Sequence, residues 1–200
     1  MDIIYTLQVI IIILLSVGLI YFHKTKSQKA LTKKMSILDN AILSRNINKI
    51  LFDIKSELNA DNVSLFRFHN GGHYRNKFDM NRFTCVNEVY NPNRSRSMQD
   101  ECTGVLIERY SDAMSQLMYM GEFFVSDIDY CSDDKFKVDA KRYGHNSVYL
   151  FLIKQISGEE EAFISVNFIR KVTLSAEQKA IVSCEHNRIL NLLNSLKIKK

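Results

Sequence analysis

The hydrophobic pattern divides the chain into two unequal parts. From Ile3 to Phe22 no side chain is charged, and the polar interruptions are Thr6, Gln8 and Ser16. As a helix rising ~1.5 Å per residue, this run spans about 30 Å, the thickness of a bilayer's hydrocarbon core. Tyr5, Tyr21 and Phe22 lie near its ends, where aromatic rings suit the membrane interface. The pattern predicts a transmembrane anchor over residues 1–23. A cleaved signal peptide would need a positive start, a shorter apolar core and a small-x-small site. Here Asp2 follows Met1 and no such site follows the run.

Beyond the span the period becomes helical. Leu31, Met35, Leu38 and Ile42 form a coiled-coil-like stripe that ends when Arg45 and Lys49 take the next seam positions. A second stripe, Ile47, Leu51, Ile54 and Leu58, starts out of phase with the first. These predict a membrane-proximal linker helix within 24–45 and a separate first helix of the domain over 46–59. The first stripe would either self-associate or pack against its own domain. Val63–Phe68 and Phe83–Tyr90 alternate as strands, and Leu106, Tyr110, Met114, Leu117 and Met118 mark a helix. Glu122–Ser126 reads as a short strand, and 133–142 as a charged helix. Val148–Ile153 and Ala162–Ile169 read as a hairpin about a turn at 157–160. Ser175-Ala-Glu-Gln178 is a capping box that opens a last helix reaching Leu196. The expected class is one α+β domain over 46–200, an antiparallel sheet flanked by helices, preceded by one transmembrane helix.

Charge adds orientation. The 200 residues carry a net charge of +5, and all 27 Lys and Arg follow the span. Lys24, Lys26, Lys29, Lys33 and Lys34 come directly after it, so the positive-inside tendency places the domain in the cytoplasm and the chain in the inner (cell) membrane. The lipid bilayer is then a partner, and each lysine near anionic headgroups contributes about 1 kcal/mol. A solvated helix face explains the same lysines equally well. The remaining basic residues alternate with acids or sit at ends, without the stacking aromatics of a nucleic-acid surface, so no nucleic-acid partner is expected.

Candidate chemistry is sparse. Cys85, Cys102, Cys131 and Cys184 form no C-x-x-C pair and read as reduced thiols. His69 and His73 flank Asn-Gly-Gly, a loop without helical ligand geometry, so no zinc is expected. Asp127, Asp129, Asp133 and Asp134 lack the Gly and Glu of a calcium loop and read as caps and a solvated face. G-x-S-x-G, H-E-x-x-H and P-loop motifs are absent, so no enzyme activity and no cofactor are expected.

Over residues 46–196 the chain resembles the GAF domains, small-molecule sensing and dimerisation modules. The residues that carry the likeness are Gly144 to Ile153, Gly158, Phe163-Ile-Ser-Val-Asn-Phe168, Leu174-Ser-Ala-Glu-Gln178 and Phe124-Val-Ser-Asp-Ile128. Arg67-Phe-His-Asn-Gly-Gly-His73 is similar to a segment of phage-encoded GAF-like proteins. Tyr149 to Leu190 also resembles the end of the C-terminal domain of T-even phage holins, which carry a longer polar segment before their span.

The GAF resemblance implies a ligand between the sheet and its capping helices. Positions that would face it are Phe66, Arg67 or His69 on the first strand, Phe83 and Cys85 on the second, and Asp127, Tyr143 and Tyr149. The alternative is a closed pocket in which Phe66, Phe83 and Tyr149 are core and Arg67 is a surface strand residue. The resemblance also implies dimerisation through terminal helices. Val182, Ile189, Leu193 and Leu196 supply a stripe for it, or else pack on their own sheet. With no output enzyme in these residues, the expected function is a single-pass membrane-anchored GAF-like sensory and interaction protein. It would be non-catalytic and homo-oligomeric, with a small-molecule or protein regulator. The alternative is a holin-like protein whose span oligomerises to permeabilise the membrane.

Overall fold

The computed structural model describes residues 37–70, 81–93, 96–154 and 160–198. The expected anchor over 1–23, the lysines from Lys24 to Lys34, His73 and the turn at 157–159 lie outside the described residues. Among the described residues no helix is long and apolar enough to cross a membrane. The chain divides into two units, Met1–Ile42 and Leu43–Lys200. The second unit carries all six strands of the sheet.

Helix α1 is described over 37–58. The expected break between a linker helix and a domain helix near 45 is absent. Ser44-Arg45-Asn46 contains neither Pro nor Gly, so the change of stripe alters which face is buried and leaves the backbone helical. From the second stripe Ile47, Leu51, Ile54 and Leu58 are buried, whereas Leu38 and Ile42 of the first are exposed. Asn59, at φ 50°, ends the helix in the left-handed region that Asn tolerates.

The strands are β1 (Asn62–His69), β2 (Arg82–Tyr90), β3 (Val105–Leu106), β4 (Glu122–Val125), β5 (Ser147–Lys154) and β6 (Glu160–Phe168). They form one six-stranded sheet in the order β3-β2-β1-β6-β5-β4, with every neighbour antiparallel. The helices after α1 are α2 (Ser111–Met120), α3 (Asp134–Arg142) and α4 (Ala176–Ile198). β3 was not expected. It is two residues long, too short to alternate, and leads directly into a 3-10 turn over Ile107–Tyr110.

Both faces of the sheet are covered, which is why β5 and β6 read as nearly continuous apolar runs. Val63, Leu65, Tyr149, Ile164 and Phe168 join Leu51 and Ile54 of α1 and Val182, Ile189 and Leu193 of α4 in one core. The α4 stripe therefore packs on its own sheet. Its capping box forms as expected: Gln178 N donates to Ser175 Oγ at 3.2 Å, and Ser175 N donates to Gln178 Oε1 at 3.0 Å. Phe66, Phe83, Leu150 and Phe163 face the other way, into a second core with Tyr110, Met114, Leu117 and Tyr143.

A bulge in β2 sets what each face of that strand carries. Leu65 pairs with Asn87 and Phe66 with Cys85, leaving Val86 as the extra residue. Phe83, Cys85 and Glu88 thus share one face. Asn87 turns to the other, where its Nδ2 donates to Ser44 Oγ and Asn48 Oδ1 of α1 at 2.8 and 2.9 Å. Leu51 is fully buried against the sheet. Leu51→Ala is expected to cost about 3 kcal/mol through lost burial and a residual cavity. Urea unfolding of the full chain followed by circular dichroism measures it.

Candidate functional site

Aromatic side chains dominate the second core. Phe66 of β1 and Phe163 of β6 stack at 4.7 Å between ring centroids, and Phe83 of β2 meets both edge-on at 5.7 and 5.4 Å. Tyr110, ahead of α2, meets Phe136 of α3 edge-on at 5.6 Å. Between these walls lies a cavity of about 50 Å³, bounded also by Met98, Cys102, Tyr143 and His145.

On the sheet side Ser165 and Asn167 border it, within a polar network of β1 and β6. Ser64 Oγ and Asn167 Nδ2 both donate to Asn62 Oδ1, at 2.8 and 3.1 Å. Ser165 Oγ donates to Asn167 Oδ1 at 2.9 Å. The loop that brings Met98 and Cys102 over this network is held by Glu88, whose carboxylate accepts from Ser97 Oγ, Met98 N, Gln99 N and Asn62 Nδ2. The backbone closes the arrangement, since Cys85 N donates to Cys102 O at 2.9 Å.

His145 is the exception. It follows Gly144, whose φ of 80° lets the chain turn sharply off α3 into β5. Its side chain is 1% exposed, and its Nε2 has no hydrogen-bond partner. Burial pulls its pKa from 6.5 down to about 4, slightly opposed by Asp61. At neutral pH the imidazole is therefore neutral; the residue borders the cavity, with Nε2 enclosed by the surrounding packing.

A partition separates the cavity from an open groove of about 710 Å³. Cys102, Tyr110, Asp139 and Tyr143 line both. Asp139 Oδ2 accepts from Tyr110 Oη at 2.6 Å and from Arg109 Nε and Nη2 at 3.0 and 2.8 Å. Arg142 Nη2 donates to Tyr143 Oη at 3.0 Å and pairs with Glu101 at 2.8 Å. Burial, joined by the bond to Asp139, raises the Tyr110 pKa. Burial raises that of Tyr143 too. Burial also raises the Cys102 and Cys85 thiols, which makes them poor nucleophiles. Among the described residues no group of three or more His, Cys, Asp or Glu could hold a metal ion.

Of the residues the sequence pointed to, Phe66, Phe83 and Tyr143 reach the cavity. Arg67 and His69 do not, because alternation along β1 turns them to the face opposite Phe66 and Phe68; His69 Nε2 lies 2.8 Å from Thr84 Oγ1. Tyr149 faces the α1 and α4 side, where its hydroxyl donates to Val172 O and accepts from Leu174 N. Cys85 is buried beside Cys102, its thiol directed to Asn87 O, and does not line the cavity. Asp127 caps a 3-10 turn at Asp129 N and pairs with Lys171. Asp133 caps α3 at Phe136 N, as the capping reading of the acidic residues expected. The sequence reading missed Met98, Tyr110, Phe136 and His145. The one available signal for His145 was a His beside a Gly at a strand entry.

No family model matches the chain, and no curated protein matches it. Solved structures do. The phycoerythrobilin-bound GAF domain of a cyanobacterial phytochrome superimposes with a TM-score of 0.64 at 11% identity, over 86% of this chain and 97% of that one. A GAF domain/HD domain protein of Geobacter sulfurreducens gives 0.59 at 8% identity, over 78% and 94%. The type II free methionine-R-sulfoxide reductase of Thermoplasma acidophilum gives 0.56 at 10%, over 78% and 96%. The fold is that of GAF domains.

The buried imidazole makes stability depend on pH in a defined window. Above pH 6.5 it is neutral in both the folded and the unfolded chain. From 6.5 down to about 4 the unfolded chain takes up a proton that the folded one excludes, so stability falls. Below that window this group adds no further loss. The full change amounts to roughly 3 kcal/mol. Urea midpoints measured across pH 4 to 7 should show it, and in His145→Leu this component should vanish.

Proposed function

We propose that this chain is a non-catalytic sensory and interaction protein, in which the cavity takes a small molecule and its occupancy biases self-association at a membrane. The observation that carries the reading is the aromatic-walled cavity between the sheet and α2 and α3. Ligand sites are lined predominantly by hydrophobic and aromatic side chains. The fold adds support, since a GAF domain of this shape holds phycoerythrobilin. The non-catalytic part is supported by burial, which raises the Cys85 and Cys102 thiols and so weakens them as nucleophiles among the described residues.

Membrane attachment is supported by the uncharged run from Ile3 to Phe22 and the lysines after it. Self-association is supported by α1, on which Leu38, Ile42 and Phe52 are exposed. Burying such side chains between two copies would remove apolar area from water. Of the two terminal helices among the described residues, α4 packs its Val182, Ile189 and Leu193 stripe on its own sheet, which favours α1 for the contact.

Two measurements test the reading. The full chain, purified in mild detergent, should release a small molecule in near-stoichiometric amount on denaturation, detected by mass spectrometry. A chain that emerges empty, and whose melting temperature no compound in a metabolite library raises, would overturn the sensory part. Phe52→Glu should shift the full chain toward monomer in analytical ultracentrifugation with its circular dichroism unchanged. An unchanged sedimentation coefficient removes α1 as the contact.

A further inference from the structure

The polar network of β1 and β6 ends on a sulfur atom. Glu88 Oε1 accepts from Asn62 Nδ2, which fixes the orientation of that amide and makes Asn62 Oδ1 an acceptor. Asn167 Nδ2 donates to it at 3.1 Å, while Asn167 Oδ1 accepts from Ser165 Oγ at 2.9 Å. The second N–H of Asn167 is then directed to the Met98 thioether, whose Sδ lies 3.8 Å from Nδ2. Ser64 Oγ, which donates to Asn62 Oδ1 at 2.8 Å, lies 3.9 Å from the same sulfur. Ser64 and Asn167 are fully buried. A thioether is a weak acceptor, so this buried amide keeps hydrogen-bonding capacity that its partner does not match. Met98 itself is only partly buried, on a loop whose next residues, Gln99 and Asp100, are exposed.

We propose that Met98 is a modification site, oxidised by a peroxide to methionine sulfoxide, and that the fold holds the sulfoxide better than the thioether. A sulfur lone pair attacks one peroxide oxygen, the O–O bond breaks and an S–O bond forms. Sulfur gives up an electron pair; the leaving hydroxide takes the proton of the transferred hydroxyl and departs as water. At an ordinary core methionine this change sets a polar oxygen among apolar groups and disrupts the packing. Here the separation of 3.8 Å between Met98 Sδ and Asn167 Nδ2 admits an interposed oxygen at an ordinary N–H···O distance of ~2.9 Å. Space for it exists without any movement of the helices. Met98 and Asn167 both border the cavity of about 50 Å³, and a single oxygen-sized occupant needs about 10–15 Å³. The loop, already held at the Met98 backbone N by Glu88, would gain a tie from the Met98 side chain to β6.

The test treats the folded full chain, in mild detergent, with hydrogen peroxide, restores its thiols with dithiothreitol and maps the peptides by mass spectrometry. Met98 should gain one oxygen while circular dichroism stays that of the folded chain; oxidation of Met98 only after unfolding in urea overturns the site. A chain carrying M35L, M80L, M114L, M118L and M120L isolates the effect of Met98. Its urea midpoint after oxidation should be no lower than before, and the Asn167 side-chain amide proton should move downfield in its NMR spectrum. A lower midpoint, or an amide proton that does not move, overturns the bond from Asn167 to the sulfoxide. Two single variants repeat the comparison without oxidant and without the leucine background. Met98→Gln offers a carbonyl oxygen near the place of the sulfoxide oxygen and should keep the midpoint of the parent chain. Met98→Leu offers no acceptor and should lower the midpoint by about 0.5 M urea. Equal midpoints for the two variants would show that Asn167 gains nothing from an acceptor there, and the proposal fails.

Discussion

The central strands have no water on either side. β1, β5 and β6 lie between the α1 and α4 layer and the α2 and α3 layer, so a polar group on them has only the interior in which to find a partner. The structure meets this condition position by position. Asn62, Ser64, Ser165 and Asn167 bond to one another across β1 and β6. The Tyr149 hydroxyl bridges Val172 and Leu174 in the segment before α4. Ser147 Oγ donates to Ser126 O and accepts from Val172 N. His145 Nε2, in the turn between α3 and β5, is buried without such a partner.

The two elements that close the cavity are held differently. The loop carrying Met98 and Cys102 hangs on Glu88, a carboxylate that collects backbone and side-chain donors at once. Charge-assisted bonds of this kind are the stronger ones. α3 is held differently: Phe136 meets Tyr110 and Phe123 edge-on, Ala140 is buried, and Asp139, buried itself, accepts from Tyr110 Oη. Its pair with Arg109, which is 51% exposed, adds little to that packing. One side of the cavity is thus fixed by a carboxylate and the other by rings.

Much of the fold was legible in the sequence because periodicity carries it. The apolar runs of β5 and β6, the alternation of β1 and the capping box at Ser175 each have a local signature. The expected break between linker and domain helix is absent, because a change of hydrophobic phase needs no helix-breaking residue, although the two units divide close by, between Ile42 and Leu43. The cavity was harder to read. Arg67 and His69 carry the chemistry one would choose for a site, yet strand parity turns them away from it. His145 and Tyr110 reach the cavity through a turn after α3 and a 3-10 segment, neither of which has a period. Parity itself failed on β2, where the bulge at Val86 intervenes.

That bulge has a consequence for how the protein can vary. Across it β2 addresses two layers: Phe83 and Cys85 in the second core, Asn87 at α1, and Glu88 at the loop that roofs the cavity. Val86 is the residue the ladder can do without, since its neighbours Cys85 and Asn87 already pair with the adjacent Phe66 and Leu65. Deleting it would leave a regular ladder with every other side chain on its present face. A deletion at another position between Phe83 and Glu88 would instead turn a ring, an amide or a carboxylate toward the wrong layer. Within this strand, length can drift at one address and not at the others.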